Sequence, residues 1–133
     1  MILVYNPILS QTTSSATIRV AFYNVENLFH PENDSTKNDD EFTPDGMRNW
    51  NDYRYREKSH RMAKAILSIG EWDAPDVVGL AEVENKTVVE DLTKTEILRK
   101  FNYETVHYES PDRRGIDVAM IYRKDRLKLI YSK

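Results

Sequence analysis

Cysteine is absent from the 133-residue chain, which removes a disulfide framework and any zinc or redox site built on thiolates. A bound metal would have to take oxygen or histidine ligands. A basic surplus is also absent: 19 Lys and Arg stand against 22 Asp and Glu, a formal net charge of −3, so bulk attraction to duplex nucleic acid is not encoded. The deficit is local, because Glu32 to Asp52 holds seven acids and only Lys37 and Arg48 as bases; without that segment the balance is 17 basic to 15 acidic. A positive site elsewhere therefore stays open. No apolar run approaches the ~20 residues of a membrane span. The N-terminal MILVYNPILSQTTSSAT lacks a charged leader and is interrupted by Pro7, which argues against a secretory signal, and residues 1–17 are read as a linker or signal remnant. The compartment is left open, with a soluble cytoplasmic chain as the default and export as the alternative. There is no internal repeat and no low-complexity tract.

With 40% hydrophobic and 31% charged residues, the remainder reads as one ordinary domain over 18–133. Ile18 to Asn24 alternates as a strand whose two faces, Ile18, Val20 and Phe22 against Ala21 and Tyr23, are both apolar. Residues 30–52 turn polar, with Pro31, Asn33, Asp34, Pro44, Asp45 and Gly46 as breakers, and read as a long loop of the kind that is functional or disordered. Met62, Ala65, Ile66 and Ile69 recur at helical spacing, with Lys58, Arg61, Lys64 and Ser68 on the other face and Gly70 as terminator. Val77 to Ala81 then forms a short apolar run suited to a strand buried on both faces. Strand, helix and buried strand predict a parallel crossover unit.

Thr87 and Glu90 form a capping box for a short helix with Val88, Val89 and Leu92 inside and a break near Thr93 and Thr95. Strands follow over Tyr103 to Tyr108, Ile116 to Arg123 and Leu127 to Tyr131, the last two joined by a hairpin turn at Lys124, Asp125 and Arg126.

Two polar residues close apolar strands: Asn24 after IRVAFY and Glu82 after VVGLA. Turns at the carboxyl ends of parallel strands face a common crevice, and a carboxylate with an amide oxygen can hold a hard cation there. The same spacing also suits a plain Asx-turn at Asn24 and a turn cap at Glu82. Arg48, Trp50, Tyr53, Arg54, Tyr55 and Arg56 serve either to stack on and grip a substrate or to pack their loop onto the domain. His30 and His60 read as solvated, His107 lies at a strand end just before the segment 110–127, and no two histidines have metal-ligand spacing. An EF-hand reading of Asn38 to Gly46 fails on ligand rhythm.

Three segments, IRVAFYNVENLF (18–29), PDVVGLAEVEN (75–85) and SPDRRGIDVAMIYRKDRL (110–127), resemble in order and spacing the first signature blocks of the endonuclease/exonuclease/phosphatase superfamily. That superfamily includes DNase I-like nucleases, inositol polyphosphate 5-phosphatases and sphingomyelinases. EFTPDGMRNW (41–50) further resembles a bacterial branch of it. The resemblance implies Glu82 as a metal-ligating glutamate and Asn24 as the asparagine beside metal and scissile phosphate, both counted as catalytic and metal-binding. Arg114 and Asp117 are implied as substrate-binding, although an arginine in a turn paired with its aspartate would look the same. Glu26 stands where some relatives carry Asp, and Ala81 stands where relatives commonly carry Gln.

The implied fold class is α/β (α+β): one half of a DNase I-like four-layer α/β/β/α sandwich, a single mixed sheet with about two covering helices. The implied activity is metal-dependent hydrolysis of a phosphodiester or phosphomonoester, with Mg²⁺ as cofactor (Mn²⁺ or Ca²⁺ as alternatives). The substrate would be a phosphate ester in nucleic acid, a lipid headgroup or a sugar phosphate. The family's water-activating Asp and closing Asp-His pair fall in the second half of the fold, so the 133-residue piece alone is expected to be inactive and to seek that half as a partner. The alternative is a non-catalytic α/β module that binds phosphate or a partner without turnover. Independently of the family, two-faced apolar strands with about two helices to cover them predict that one sheet face lacks a partner layer.

Overall fold

A computed structural model describes residues 17–71 and 73–133. The assignment of 1–17 to a linker or signal remnant falls, apart from Thr17, outside the described residues. Four strands, β1 (Val20–Leu28), β2 (Val77–Val83), β3 (Tyr103–Tyr108) and β4 (Asp117–Arg123), form one mixed sheet in the order β1-β2-β4-β3. β1 and β2 run parallel, joined by helix α1 (Asp52–Ile69), which is the expected crossover unit; β4 is antiparallel to both of its neighbours. Helix α2 (Lys86–Lys94) follows β2.

The register divides the side chains into two faces. Tyr23, Leu80 and Ala119 align on one face, as do Ala21, Val78 and Ile121, and this face carries the core with Met62 and Ile66 of α1 and Val88, Val89 and Leu92 of α2. On the opposite face Val20, Phe22, Val118 and Tyr108 are 71%, 72%, 61% and 45% exposed. Among the described residues, the uncovered face expected from the strand patterns is therefore present. Phe22 lies across Gly79, where an added Cβ would stand 3.0 Å from its ring.

Several local expectations are corrected. The segment 30–52 is folded onto the domain: a 3₁₀ turn at Asp40–Phe42 buries Phe42, whose ring stacks on Phe29 at 4.2 Å, and Trp50 donates from Nε1 to Phe29 O at 2.8 Å. Its polar composition masked these two anchors. α1 begins at Asp52 because Asn51 Oδ1 accepts the Arg54 amide, so Tyr55 and Ser59 join its inner face while Ile69 is 47% exposed. It ends at Gly70, where an added Cβ would collide with Asp73 O. α2 is capped by Asn85, which accepts the Val88 amide, and not by Thr87; Glu90 instead bridges Lys86 and Lys94. The strand expected over Leu127 to Tyr131 does not form. β4 has β2 on one edge and β3 on the other, so a hairpin partner would find no free edge to pair with.

Candidate functional site

The carboxyl ends of β1 and β2 lie side by side, and both strands leave regular geometry there. Pairing slips between Asn24 and Leu28 on β1 and between Ala81 and Val83 on β2. Within these irregularities Glu26, Asn27 and Glu82 adopt left-handed backbone, with φ of 52°, 62° and 66°. Such a conformation costs a non-glycine residue about 1–2 kcal/mol and persists where its surroundings fix it. Here it lets Glu82 approach Asn24, whose Nδ2 donates to Glu82 Oε1 at 3.0 Å.

Asn24 Oδ1 accepts the Glu26 amide at 2.8 Å. Only the oxygen can accept that N–H and only the amide nitrogen can donate to a carboxylate, so the two bonds fix the orientation of the side chain. The expected convergence of an Asn24 oxygen and Glu82 on one ion is thus modified: the two residues meet, but the amide nitrogen of Asn24 faces the carboxylate. Glu82 is half-buried, and its second oxygen accepts no hydrogen bond among the described residues. A half-exposed carboxylate with an uncommitted oxygen suits a hydrated divalent ion.

Lys58 sits behind this rim. Its ammonium donates to Glu26 O at 2.5 Å and Asn27 O at 3.1 Å, holding the left-handed turn, and burial lowers its pKa while the charges of Glu26 and Glu82 oppose that shift. Helical periodicity assigns Lys58 to the solvent face and misses this role.

The antiparallel β4 brings Arg114 and Asp117 to the same end of the sheet, because its first residues pair with the last of β2. Arg114 is exposed and forks onto Asp112 at 2.7 and 3.2 Å, which raises its pKa, with a smaller contribution from the charge of Glu82. Asp117 is not the partner of Arg114. It is 3% exposed, accepts the Ser110 amide at 2.7 Å and meets His107 Nε2 at 3.0 Å. Its side chain falls on the helix-covered side of β4, opposite Val118. Glu109 adds a third donor, and His107, Glu109 and Asp117 each offer one ligand atom within 4.8 Å of the others. The Lys37 ammonium already meets Glu109 at 3.0 Å and supplies a positive charge there.

A model described as Endonuclease/Exonuclease/phosphatase family matches residues 19–133. The chain belongs to that family. Its one mixed sheet and two helices are consistent with part of a DNase I-like fold, and the superfamily is in general one of hydrolytic enzymes of phosphoesterase and nuclease type, typically dependent on a divalent metal. No curated protein and no solved structure matches the chain. Among the described residues no helix is long and apolar enough to cross a membrane.

His30 is half-buried against Tyr55, with ring centroids 5.4 Å apart, and not solvated as its loop position suggested. Its amide donates to Glu84 Oε2 at 2.5 Å. Glu84 is 3% exposed, and burial pushes its carboxyl up to about 7. Asn85 caps the next helix immediately after it. Nothing in the alternation of VVGLAEVEN distinguishes Glu84 from Glu82; only the bulge at Glu82 sends one carboxylate to the rim and the other inside.

Proposed function

We propose that this chain carries the metal-binding half of a phosphoesterase centre that hydrolyses a phosphodiester or phosphomonoester. The observation behind this reading is the Asn24 to Glu82 hydrogen bond of 3.0 Å across adjacent parallel strand ends, made by a Glu82 held in left-handed backbone. Glu82 holds a divalent ion, Mg²⁺ by its preference for oxygen donors, with Mn²⁺ or Ca²⁺ able to use the same ligand. Bound there, the ion would stabilise charge on the phosphate oxygens and leaving group. Asn24 fixes the Glu82 carboxylate and offers its remaining amide hydrogen to a phosphate oxygen. Arg114, exposed beside the rim, supplies a charge-assisted hydrogen bond to the phosphate. Asp117 holds His107 and the Ser110 turn, and through them the loop that bears Arg114.

The open sheet face of Val20, Phe22, Val118 and Tyr108 belongs, in this reading, against a second sheet of the same domain. That sheet would bring the Asp that acts on the attacking water and an Asp-His pair. The substrate is a phosphate ester of nucleic acid, a lipid headgroup or a sugar phosphate.

The test is hydrolysis by the full-length gene product with Mg²⁺ on DNA, lipid phosphodiesters and sugar phosphates, with EDTA and Glu82→Gln as controls. Turnover on one class that disappears in both controls is the expected result. Turnover that survives Glu82→Gln removes this residue as a metal ligand, and no turnover on any class favours a module that binds phosphate without hydrolysing it.

A further inference from the structure

A cavity of about 570 Å³ opens between the end of β1 and α1, with Asn24 and Glu26 on one wall and Tyr53, Arg54, Lys58 and Arg61 on the other. The three cations stand at positions i, i+4 and i+7 of one helix, so they share the face that looks across the cavity at the rim. None of the three has a carboxylate within ion-pair distance among the described residues. Arg61 is exposed with no hydrogen bond to its side chain among them, and Arg54 is also exposed, donating only to Arg48 O and resting over the Trp50 ring at 5.9 Å. Glu26 and Glu57 line the cavity as well, but Glu26 belongs to the rim where a divalent cation would add positive charge.

The aromatic pair divides its work. Trp50 is 8% exposed, with its indole N–H committed to Phe29 O and its ring covered by Arg54 and Lys58. Tyr53 is 72% exposed, and nothing among the described residues stacks on its ring. An exposed ring beside two exposed guanidinium groups that have no carboxylate partner among the described residues matches the repeat of a nucleic-acid strand: base, phosphate, base. A sugar phosphate would use the phosphate centre and leave this wall empty.

We infer that the face of α1 bearing Tyr53, Arg54 and Arg61 is a subsite for a single nucleic-acid strand, in which Tyr53 stacks on a base and the two arginines hold the neighbouring phosphates. This rests on the phosphoesterase reading and narrows its substrate class. The net charge of −3 does not oppose it, because the attraction is confined to one helix face.

The test separates binding from turnover. Affinity of the full-length protein for a short fluorescein-labelled single-stranded DNA is measured by fluorescence anisotropy in EDTA across a salt series. Single-strand binding loses roughly 0.7 in the slope of log affinity against log salt for each phosphate contact removed, so Arg54→Ala with Arg61→Ala should flatten the slope by about 1.4. Arg54→Lys with Arg61→Lys should keep it. Tyr53→Ala should weaken binding by roughly 5- to 150-fold, and should have no effect on a strand made abasic throughout. A salt slope that the alanine pair leaves unchanged, or arginine-dependent binding to vesicles of equal phosphatidylserine and phosphatidylcholine with none to DNA, overturns the inference. In either of those outcomes hydrolysis that still requires Glu82 would leave the broader reading standing. DNA binding with the expected slopes but no Mg²⁺-dependent turnover would do the reverse.

Discussion

At the rim where β1 and β2 begin, Asp76 accepts the Arg19 amide at 2.7 Å, meets the Arg126 guanidinium at 2.8 Å and offers its carbonyl to the Arg123 amide. Arg123 adds Asp73 and Asp125, at 2.8 and 3.0 Å, so three segments are stapled together at this end. At the opposite rim the strands slip out of register, three non-glycine residues inside them adopt left-handed backbone, and Arg54, Lys58 and Arg61 go without carboxylate partners among the described residues. Charges are matched within the chain at one end and only partly at the other, where Arg114 meets Asp112 and Lys37 meets Glu109. Left-handed non-glycine residues also occur at the first rim, at Glu71 and Asn102, but there they lie outside the strands.

Four changes would break or sharpen this contrast. The largest effect is expected from Glu82→Gln, which should lower turnover of the full-length protein about 10²- to 10³-fold while leaving its melting temperature nearly unchanged. An equal loss of stability would mean that Glu82 belongs to the staple class. Asp76→Ala should do the opposite, costing about 1–3 kcal/mol in urea unfolding because the Arg19 amide loses its acceptor and Arg126 one of its two carboxylate partners, with catalysis per folded molecule retained.

Glu84 gives a pH signature. Its folded value of about 7 lies above the unfolded carboxyl value of 4.5, so the folded state binds the extra proton and its contribution is fully present below pH 4.5, fading as pH rises toward 7. In metal-free buffer, unfolding free energy should fall by roughly 3 kcal/mol over that window on account of this group. Glu84→Gln should flatten the fall and gain stability at pH 8. An unchanged pH profile in that variant would mean that burial does not hold the proton on Glu84. The smallest effect is expected from Glu26→Gly, which should relieve the left-handed strain at φ 52° and stabilise by about 0.5–1 kcal/mol. A loss of stability would show that the Glu26 side chain contributes more than its backbone costs.

The single mixed sheet was legible because periodicity is a local property: β3 was bounded at both ends, β4 to within one residue, and the parallel crossover followed from strand, helix and buried strand. The failures have a common form. Leu127 to Tyr131 alternates as a strand should, but pairing needs a free edge, and edge availability belongs to the whole sheet. Phe42 and Trp50 were hidden in a polar segment because two residues with no periodic company give no signal, although the ring stack and the indole hydrogen bond they make fasten the loop.

What the chain's order of residues determined by itself is the alternation that builds one sheet with one face covered, and the family blocks that bring Asn24 and Glu82 to strand ends. Only the tertiary structure decided which atom of Asn24 faces Glu82, that Asp117 holds His107 and not Arg114, and that Lys58 turns inward to support the rim. Each depends on a bulge or a register between segments more than 30 residues apart for Lys58, and nearly 60 apart for Asn24 and Glu82. Side-chain type and spacing put a residue at an edge, and only the backbone geometry that meets it there fixes what it touches.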